Sequence, residues 1–410
     1  MKGISQSAKK LKGQPMFHIL VKANELEQQG RKILHFELGD PDFDAPLNVR
    51  EAVCTSLARG ETHYTNPMGL EEFRIAVANA TENSRKFRPS LDQILVCPGA
   101  NSGIFYAIGC TVNPGKGEEV IVPEPCFPTY ISAVNFLGAK AVKVSLKEEN
   151  EFRLDPKDVE AAITEKTRLI IMNSPHNPTG SVMQEDEMKK MYDIAEKYDL
   201  YLLSDEVYAR MIYHDAHTRF SSPSKYDKCQ ERAIVANGFS KSYAMPGFRL
   251  GVAIGPPELI AKMSLLLETS VSCVSPFIQR GGVEALKGDQ KPIADMMNEF
   301  RERRDLIVEG LNSLPGIRCV KPKGAFYAFP NIRETGFTDR QFFEYMLEQA
   351  GVACSPGTIF GDNYGDYVRF SYASSKKEEI AEAIERMSKA LKYQGGKPTI
   401  SNKKRVRMAP

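Results

Sequence analysis

The sequence has no run of about 18 consecutive apolar residues, the length a helix needs to cross a bilayer, so no membrane-spanning helix is expected. An excess of one charge is missing as well. Lys and Arg number 54 and Asp and Glu 52, for a net charge of +2, too little to draw the chain onto nucleic acid or a lipid surface. The partner expected is therefore small. The eight cysteines (Cys54, Cys97, Cys110, Cys126, Cys229, Cys273, Cys319, Cys354) contain no C-x-x-C pair. The six histidines are scattered, and the one close pair, His214 and His217, has no third and fourth ligand at a metal-binding spacing. Reduced thiols, a loop around Asp215 and no metal follow as expectations. The start, MKGISQSAKKLKGQP, lacks the apolar stretch of a secretory signal, so the cytoplasm is the expected location. No internal repeat occurs.

The 410 residues suit two domains of ordinary size. Short apolar runs bounded by turn residues, QILVCPG, EEVIVPEP, KAVKVSL, RLIIMNSP, LYLLSDE, AIVANGFS and GVAIGPP, read as strands. Longer amphipathic stretches lie between them. Residues 183–198 bring Met183, Met188, Met191, Tyr192 and Ile194 near one helical face. Such interleaving predicts an α/β fold, a mostly parallel sheet with helices on both faces. From about residue 277 the pattern changes to long helices (FIQRGGVEAL, then IADMMNEFRERRDLIVEGLNSL), short strands (GIRCVKP, AFYAFPN, YVRFSY) and a last helix, KKEEIAEAIERMSKAL. That is a smaller α+β unit. The reading gives a large domain over 46–285, a small domain from 1–45 and 286–394, and a basic, solvated tail over 395–410.

Ligands of open parallel sheets bind beyond the carboxyl ends of the strands. The residues following the strands here are Gly99-Ala100-Asn101, Phe127, Asn177, Asp205 and Ser240-Lys241. They comprise a glycine-opened helix start, an aromatic ring, an amide, a carboxylate and a lysine.

The run GFSKSYAMPGFRLG, residues 238–251, resembles the cofactor-lysine signature of class I/II aminotransferases, with Gly238, Phe239 and Ser240 before Lys241 and Arg249 eight positions after it. Other segments agree in order over nearly the whole chain. LGDPDFDAP resembles the family's substrate-carboxylate loop, with Gly39 lending a backbone contact. HYTNPMGLEEFR resembles the segment that offers a tyrosine, here Tyr64, to the cofactor phosphate of a neighbouring subunit. PGANSG, EPCFPTY, NSPHNPTG, SDEVYA and DYVRFSYA supply Ala100 and Asn101, Phe127, Asn177, Asp205 with Tyr208, and Arg369.

The resemblance implies fold type I and pyridoxal 5'-phosphate (PLP), whose chemistry needs these parts. An amine, Lys241, forms the Schiff base and later acts as base. A carboxylate, Asp205, keeps the ring nitrogen protonated so that the ring serves as electron sink. Asn177 and Tyr208 meet the phenolic oxygen, and Phe127 stacks on the ring. Helix-start N–H groups at Ala100 and Asn101, with Ser240, Arg249 and the neighbouring Tyr64, hold the phosphate. Arg369, with Gly39 and Asn177, grips the substrate α-carboxylate. Many relatives carry a serine where this chain has Gly238, leaving Ser240 or a backbone N–H to take its place.

The implied reaction is ping-pong transfer of an α-amino group, from an aspartate-like donor as first choice, to a 2-oxo acid such as 2-oxoglutarate, in a homodimer that shares residues between sites. Two other readings stand beside it. A PLP lyase or synthase starts from the same carbanion. A PLP-sensing transcription regulator needs a DNA-binding module that the 45 residues before the large domain do not resemble.

Overall fold

The computed structural model describes residues 3–9, 11 and 13–392; the tail expected over 395–410 lies outside them. Twelve strands are named in chain order: β1 Leu34–His35, β2 Ile94–Cys97, β3 Glu119–Glu124, β4 Lys140–Ser145, β5 Thr167–Asn173, β6 Tyr201–Asp205, β7 Ala233–Gly238, β8 Gly251–Ile254, β9 Tyr327–Ala328, β10 Val352–Ala353, β11 Ser355–Pro356 and β12 Val368–Ser371. All seven apolar runs of the first part of the sequence are strands of one sheet, ordered β2-β8-β7-β6-β5-β3-β4. Every neighbouring pair is parallel except those made by β8, which runs against β7 and β2.

Apart from the partly exposed edge strand β4, the strands are largely apolar on both faces because both are covered, and side chains alternate between them. Leu95 and Cys97 join Ile104, Ile108, Ile260 and Met263 under the helices Ala100–Thr111 and Pro257–Val271. Ile94 and Val96 point the other way, toward Phe73 and Val77 of the helix Glu71–Arg85 and Val283 of Pro276–Lys287. The helix expected over 183–198 runs Glu185–Lys197 and buries Met188, Met191, Tyr192 and Ile194.

The later part of the chain forms a three-stranded antiparallel sheet, β11-β12-β9, and a parallel pair, β1 with β10. Two helices, Lys291–Ser313 and Lys377–Lys392, bury Ile307, Leu311, Ile380 and Met387 in the adjoining core. AFYAFPN and YVRFSY contain β9 and β12, as expected. GIRCVKP is not a strand: only Arg318 bridges Asn331. The Asn312 side chain occupies the Cys319 backbone, accepting from its N–H at 2.8 Å and donating to its carbonyl at 3.1 Å, so no ladder extends there. All eight cysteines are free thiols. Among the described residues no helix is long and apolar enough to cross a membrane.

Candidate active site

Register determines what meets at the sheet's carboxyl edge. Asn173 ends β5 beside Asp205 at the end of β6. Gly238 ends β7 beside Gly251, which also pairs with Cys97 at the end of β2. Because β8 is reversed, its first residue faces the last residues of its neighbours. A cavity of about 370 Å³ opens on this edge, lined by Ala100, Asn101, Phe127, Asn177, Asp205, Tyr208, Gly238, Ser240, Lys241 and Arg249, with Gly39 and Arg369 across it. Every residue expected at the site lines it except Tyr64, which is 86% exposed and stands away from the cavity of its own chain.

The ionic groups in this cavity have uncharged partners. Lys241 Nζ donates to the Gly39 carbonyl at 2.5 Å. Asp205 accepts from the Tyr130 hydroxyl at 2.5 Å and the Val207 N–H at 3.2 Å. Arg249 donates to the Pro246 carbonyl at 2.8 Å. Arg369, 1% exposed, donates to Asn177 Oδ1 at 3.1 Å and the Glu37 carbonyl at 2.5 Å, and its Nε has no partner. Its guanidinium lies between the rings of Tyr327 and Phe360, 4.6 and 4.7 Å from their centroids.

Isolated buried charge is costly unless it is neutralised or matched, and each group responds accordingly. Burial lowers the Lys241 amine to about 8, with Arg369 and Arg249 adding to the effect and Asp40 opposing it. Burial raises the Asp205 carboxyl to about 6, against the hydrogen bonds from Tyr130 and Val207. Burial also lowers Arg369. A nucleophilic amine, a carboxylate without a cation and a guanidinium without an anion therefore share one cavity.

Residues 31–387 match the family described as Aminotransferase class I and II. The chain belongs to this family. An aspartate aminotransferase of Pyrococcus horikoshii is 39% identical over 90% of this chain and 94% of its own length. Aromatic-amino-acid aminotransferase 2 of Thermococcus litoralis is 38% identical, with the same two coverages. The solved structure of the Thermus thermophilus aspartate aminotransferase with maleate superposes with a TM-score of 0.89 at 33% identity, covering 95% of this chain and all of that one. The protein is accordingly a PLP-dependent transaminase of fold type I.

The residues present fit PLP. At the helix start, Gly99 has φ +84°, which L side chains rarely adopt, and a Cβ there would run into the Arg249 guanidinium. A Cβ on Gly251 would lie 2.6 Å from the Ala100 nitrogen. These glycines bring Arg249 and the first N–H groups of Ala100–Thr111 to one spot, suited to a phosphate. Gly238 is not forced by space: a Cβ would sit 3.4 Å from that of Ala100. Ser240 lines the same wall.

Several lining residues were not singled out in the sequence. Tyr130 follows Phe127 within EPCFPTY, and its place in the first turn of the helix Thr129–Phe136 carries its hydroxyl to Asp205. Asn173 donates to the Asp205 carbonyl at 3.0 Å and accepts from the Asn177 N–H at 2.9 Å. Tyr327, on β9, meets the Tyr208 hydroxyl at 2.8 Å. Tyr130 and Asn173 each sat inside a quoted motif, EPCFPTY and NSPHNPTG; Tyr327 arrives from far along the chain with no motif of its own.

The depressed amine gives a test on cofactor-free protein. At pH 8 about half of Lys241 is unprotonated, against less than about 1% of an ordinary lysine. Brief reductive methylation followed by peptide mass spectrometry should modify Lys241 ahead of surface lysines, with an apparent pKa near the value above. Equal labelling of all lysines would contradict the assigned environment.

Proposed function

We propose that this protein is a homodimeric, cytoplasmic aminotransferase working by ping-pong transfer, with an aspartate-like donor and a 2-oxo acid such as 2-oxoglutarate as acceptor. The observation that carries the reading is the juxtaposition of Lys241, Asp205 and Arg369 in one cavity, each without an ionic partner. The relative from P. horikoshii supports an aspartate-like donor, and that from T. litoralis makes aromatic donors the second choice.

When bound, PLP supplies an aldehyde for amine exchange and a protonated ring that withdraws electrons from the substrate Cα. Lys241 holds the group covalently through Nζ; once released, the same amine takes the Cα proton and returns it one carbon away. Burial holds this amine below an ordinary lysine, so a larger share of it is unprotonated near neutrality. Asp205 accepts a hydrogen bond from the ring nitrogen, and Tyr130 orients the carboxylate. Asn177 and Tyr208 would donate to the phenolic oxygen, with Tyr327 bonded to Tyr208, and Phe127 would supply an apolar surface for the ring. Arg249, Ser240 and the N–H groups of Ala100 and Asn101 hold the phosphate. Arg369, steadied by Asn177, takes the substrate carboxylate alongside Gly39. Tyr64, exposed on its own chain, serves the site of a second copy. The large domain spans 46–285, and 1–45 with 286–394 make the small one, a division supported by the pairing of β1 with β10.

The deciding experiment adds single amino acids to PLP-loaded protein with no oxo acid and records the absorption spectrum. Conversion to the pyridoxamine band with release of the matching 2-oxo acid supports the proposal and names the donor; ammonia or thiol release would make it a lyase. Arg369→Lys should retain cofactor yet lose on the order of 10²-fold in kcat/KM, since an ammonium replaces a fork held between two rings. Sedimentation should report a dimer, and Tyr64→Phe should weaken cofactor retention without dissociating it.

A further inference from the structure

A second cavity exceeds the catalytic one in volume. A groove of about 650 Å³ lies behind the lysine-bearing segment, and Gly238 lines both spaces. Its floor is apolar, with Val77 from the helix Glu71–Arg85, Val252 and Ile254 from β8, and Leu286. Arg85, Arg210 and Lys287 line it, and no Asp or Glu does.

These cations differ in what already occupies them. Arg85 is committed to the buried Glu206, to which both its Nε and Nη2 donate. Lys287 stands 3.4 Å from Glu72. Arg210 has no carboxylate partner among the described residues. It donates to Gln290 Oε1 at 3.0 Å, and its guanidinium sits 5.2 Å from the centroid of the Tyr243 ring. Gln290 is itself held in one orientation, its amide nitrogen donating to the carbonyls of Ala285 at 3.0 Å and Gly288 at 2.8 Å. Its oxygen is thereby turned to Arg210. Tyr243 stacks on Phe239, with centroids 5.3 Å apart and planes at 28°. The guanidinium is thus anchored on one side by an amide and a ring, leaving further N–H groups of its fork unoccupied.

We infer that this groove binds an amphiphilic organic anion, with a carboxylate or similar head on Arg210 and Lys287 and an apolar body along Val77, Val252, Ile254 and Leu286. A volume of this order is ordinary for a ligand site. An anchored guanidinium with no carboxylate beside it favours an acid head, and the apolar floor favours a hydrocarbon tail over a bare inorganic anion. Phe239, Ser242 and Tyr243 bracket Lys241 in sequence and line the groove, so an occupant presses on the back of the segment that carries the catalytic amine.

The test uses the PLP-loaded enzyme and the fluorescent anion 8-anilinonaphthalene-1-sulfonate. One probe should bind per chain, and saturating 2-oxoglutarate should not displace it. Arg210→Gln should weaken binding about tenfold or more, the size of one lost charge-assisted contact. Ala80→Trp, which fills the groove without altering charge, should abolish it. Hexanoate should displace the probe, whereas hexanol and acetate at equal concentration should not. Binding should also move the pH midpoint of the cofactor's visible band. Unchanged affinity in both variants, displacement by 2-oxoglutarate, equal displacement by hexanol, or an unmoved midpoint with the probe bound would overturn the inference. Because the binding arms do not depend on turnover, their failure leaves the transaminase assignment untouched.

Discussion

Lys241→Ala should abolish transamination, with turnover falling by about 10⁴-fold or more, while the cofactor-free variant should fold and melt no lower than the parent at pH 7. Both results come from the same environment. The amine is the group in the cavity able to form the covalent link and then move the Cα proton, so its loss removes two roles at once. Its removal costs the fold little. Burial lowers Lys241 to about 8, below its unfolded value, so the native state disfavours the charged amine. Stability therefore rises with pH from about 8 toward the unfolded value near 10.5, where the folded chain has released a proton that the unfolded chain still holds; below that window the protonated lysine opposes folding. Alanine lacks this opposition. The comparison needs a half-reaction assay and thermal melts at pH 7 and pH 10, where the variant's advantage should shrink. Restoration of slow turnover by an added small primary amine would separate loss of the base from general damage to the site. Turnover within tenfold of the parent would refute the assignment.

Asp205→Asn should cost on the order of 10³-fold in turnover and yet stabilise the cofactor-free protein. The catalytic loss follows because an amide cannot hold a proton on the ring nitrogen by opposite charge. The stability gain follows from the sign of the shift. Burial raises the Asp205 carboxyl from 3.8 to about 6, so between about pH 4 and pH 6 the folded chain holds a proton that the unfolded chain has released. Stability falls as pH rises through that window. At pH 7 the penalty reaches about 3 kcal/mol, from two units at about 1.4 kcal/mol each. Asparagine avoids it and can still accept from Tyr130. Urea unfolding of both cofactor-free proteins should show the variant ahead at pH 7 and the gap closing near pH 4. A variant less stable than the parent at pH 7 would contradict an unpaired buried carboxylate at this position. The site trades stability for charge arrangement, as catalytic sites commonly do.

Much of this was legible in the linear chain because it depends on local pattern. The seven apolar runs became the seven strands of one sheet, since a strand covered on both faces must be apolar along its length and bounded by turn residues. Lys241, Asp205 and Asn177 could be singled out because each lies at or just past the carboxyl end of a strand, where an open parallel sheet presents its ligands. GIRCVKP shows the limit of that reading. Its composition suits a strand, but the Asn312 side chain takes the Cys319 backbone hydrogen bonds, and a competitor seven residues away leaves no mark on local composition. Tyr64 shows another limit, because a residue 86% exposed on its own chain completes nothing there.

The sequence by itself determined the fold class and the order of the elements and singled out Lys241 as the candidate amine, because hydrophobic periodicity and a long motif are properties of neighbouring residues. Only the tertiary structure decided the electrostatics. Tyr327 reaches Tyr208, and Arg369 becomes sandwiched between Tyr327 and Phe360, through contacts made across the fold. The reversed β8 brings Gly251 against Gly238 and the start of the helix Ala100–Thr111. How far Lys241 and Asp205 shift, and whether Arg210 keeps its fork unoccupied, depend on which distant groups folding sets beside them and how much water it removes.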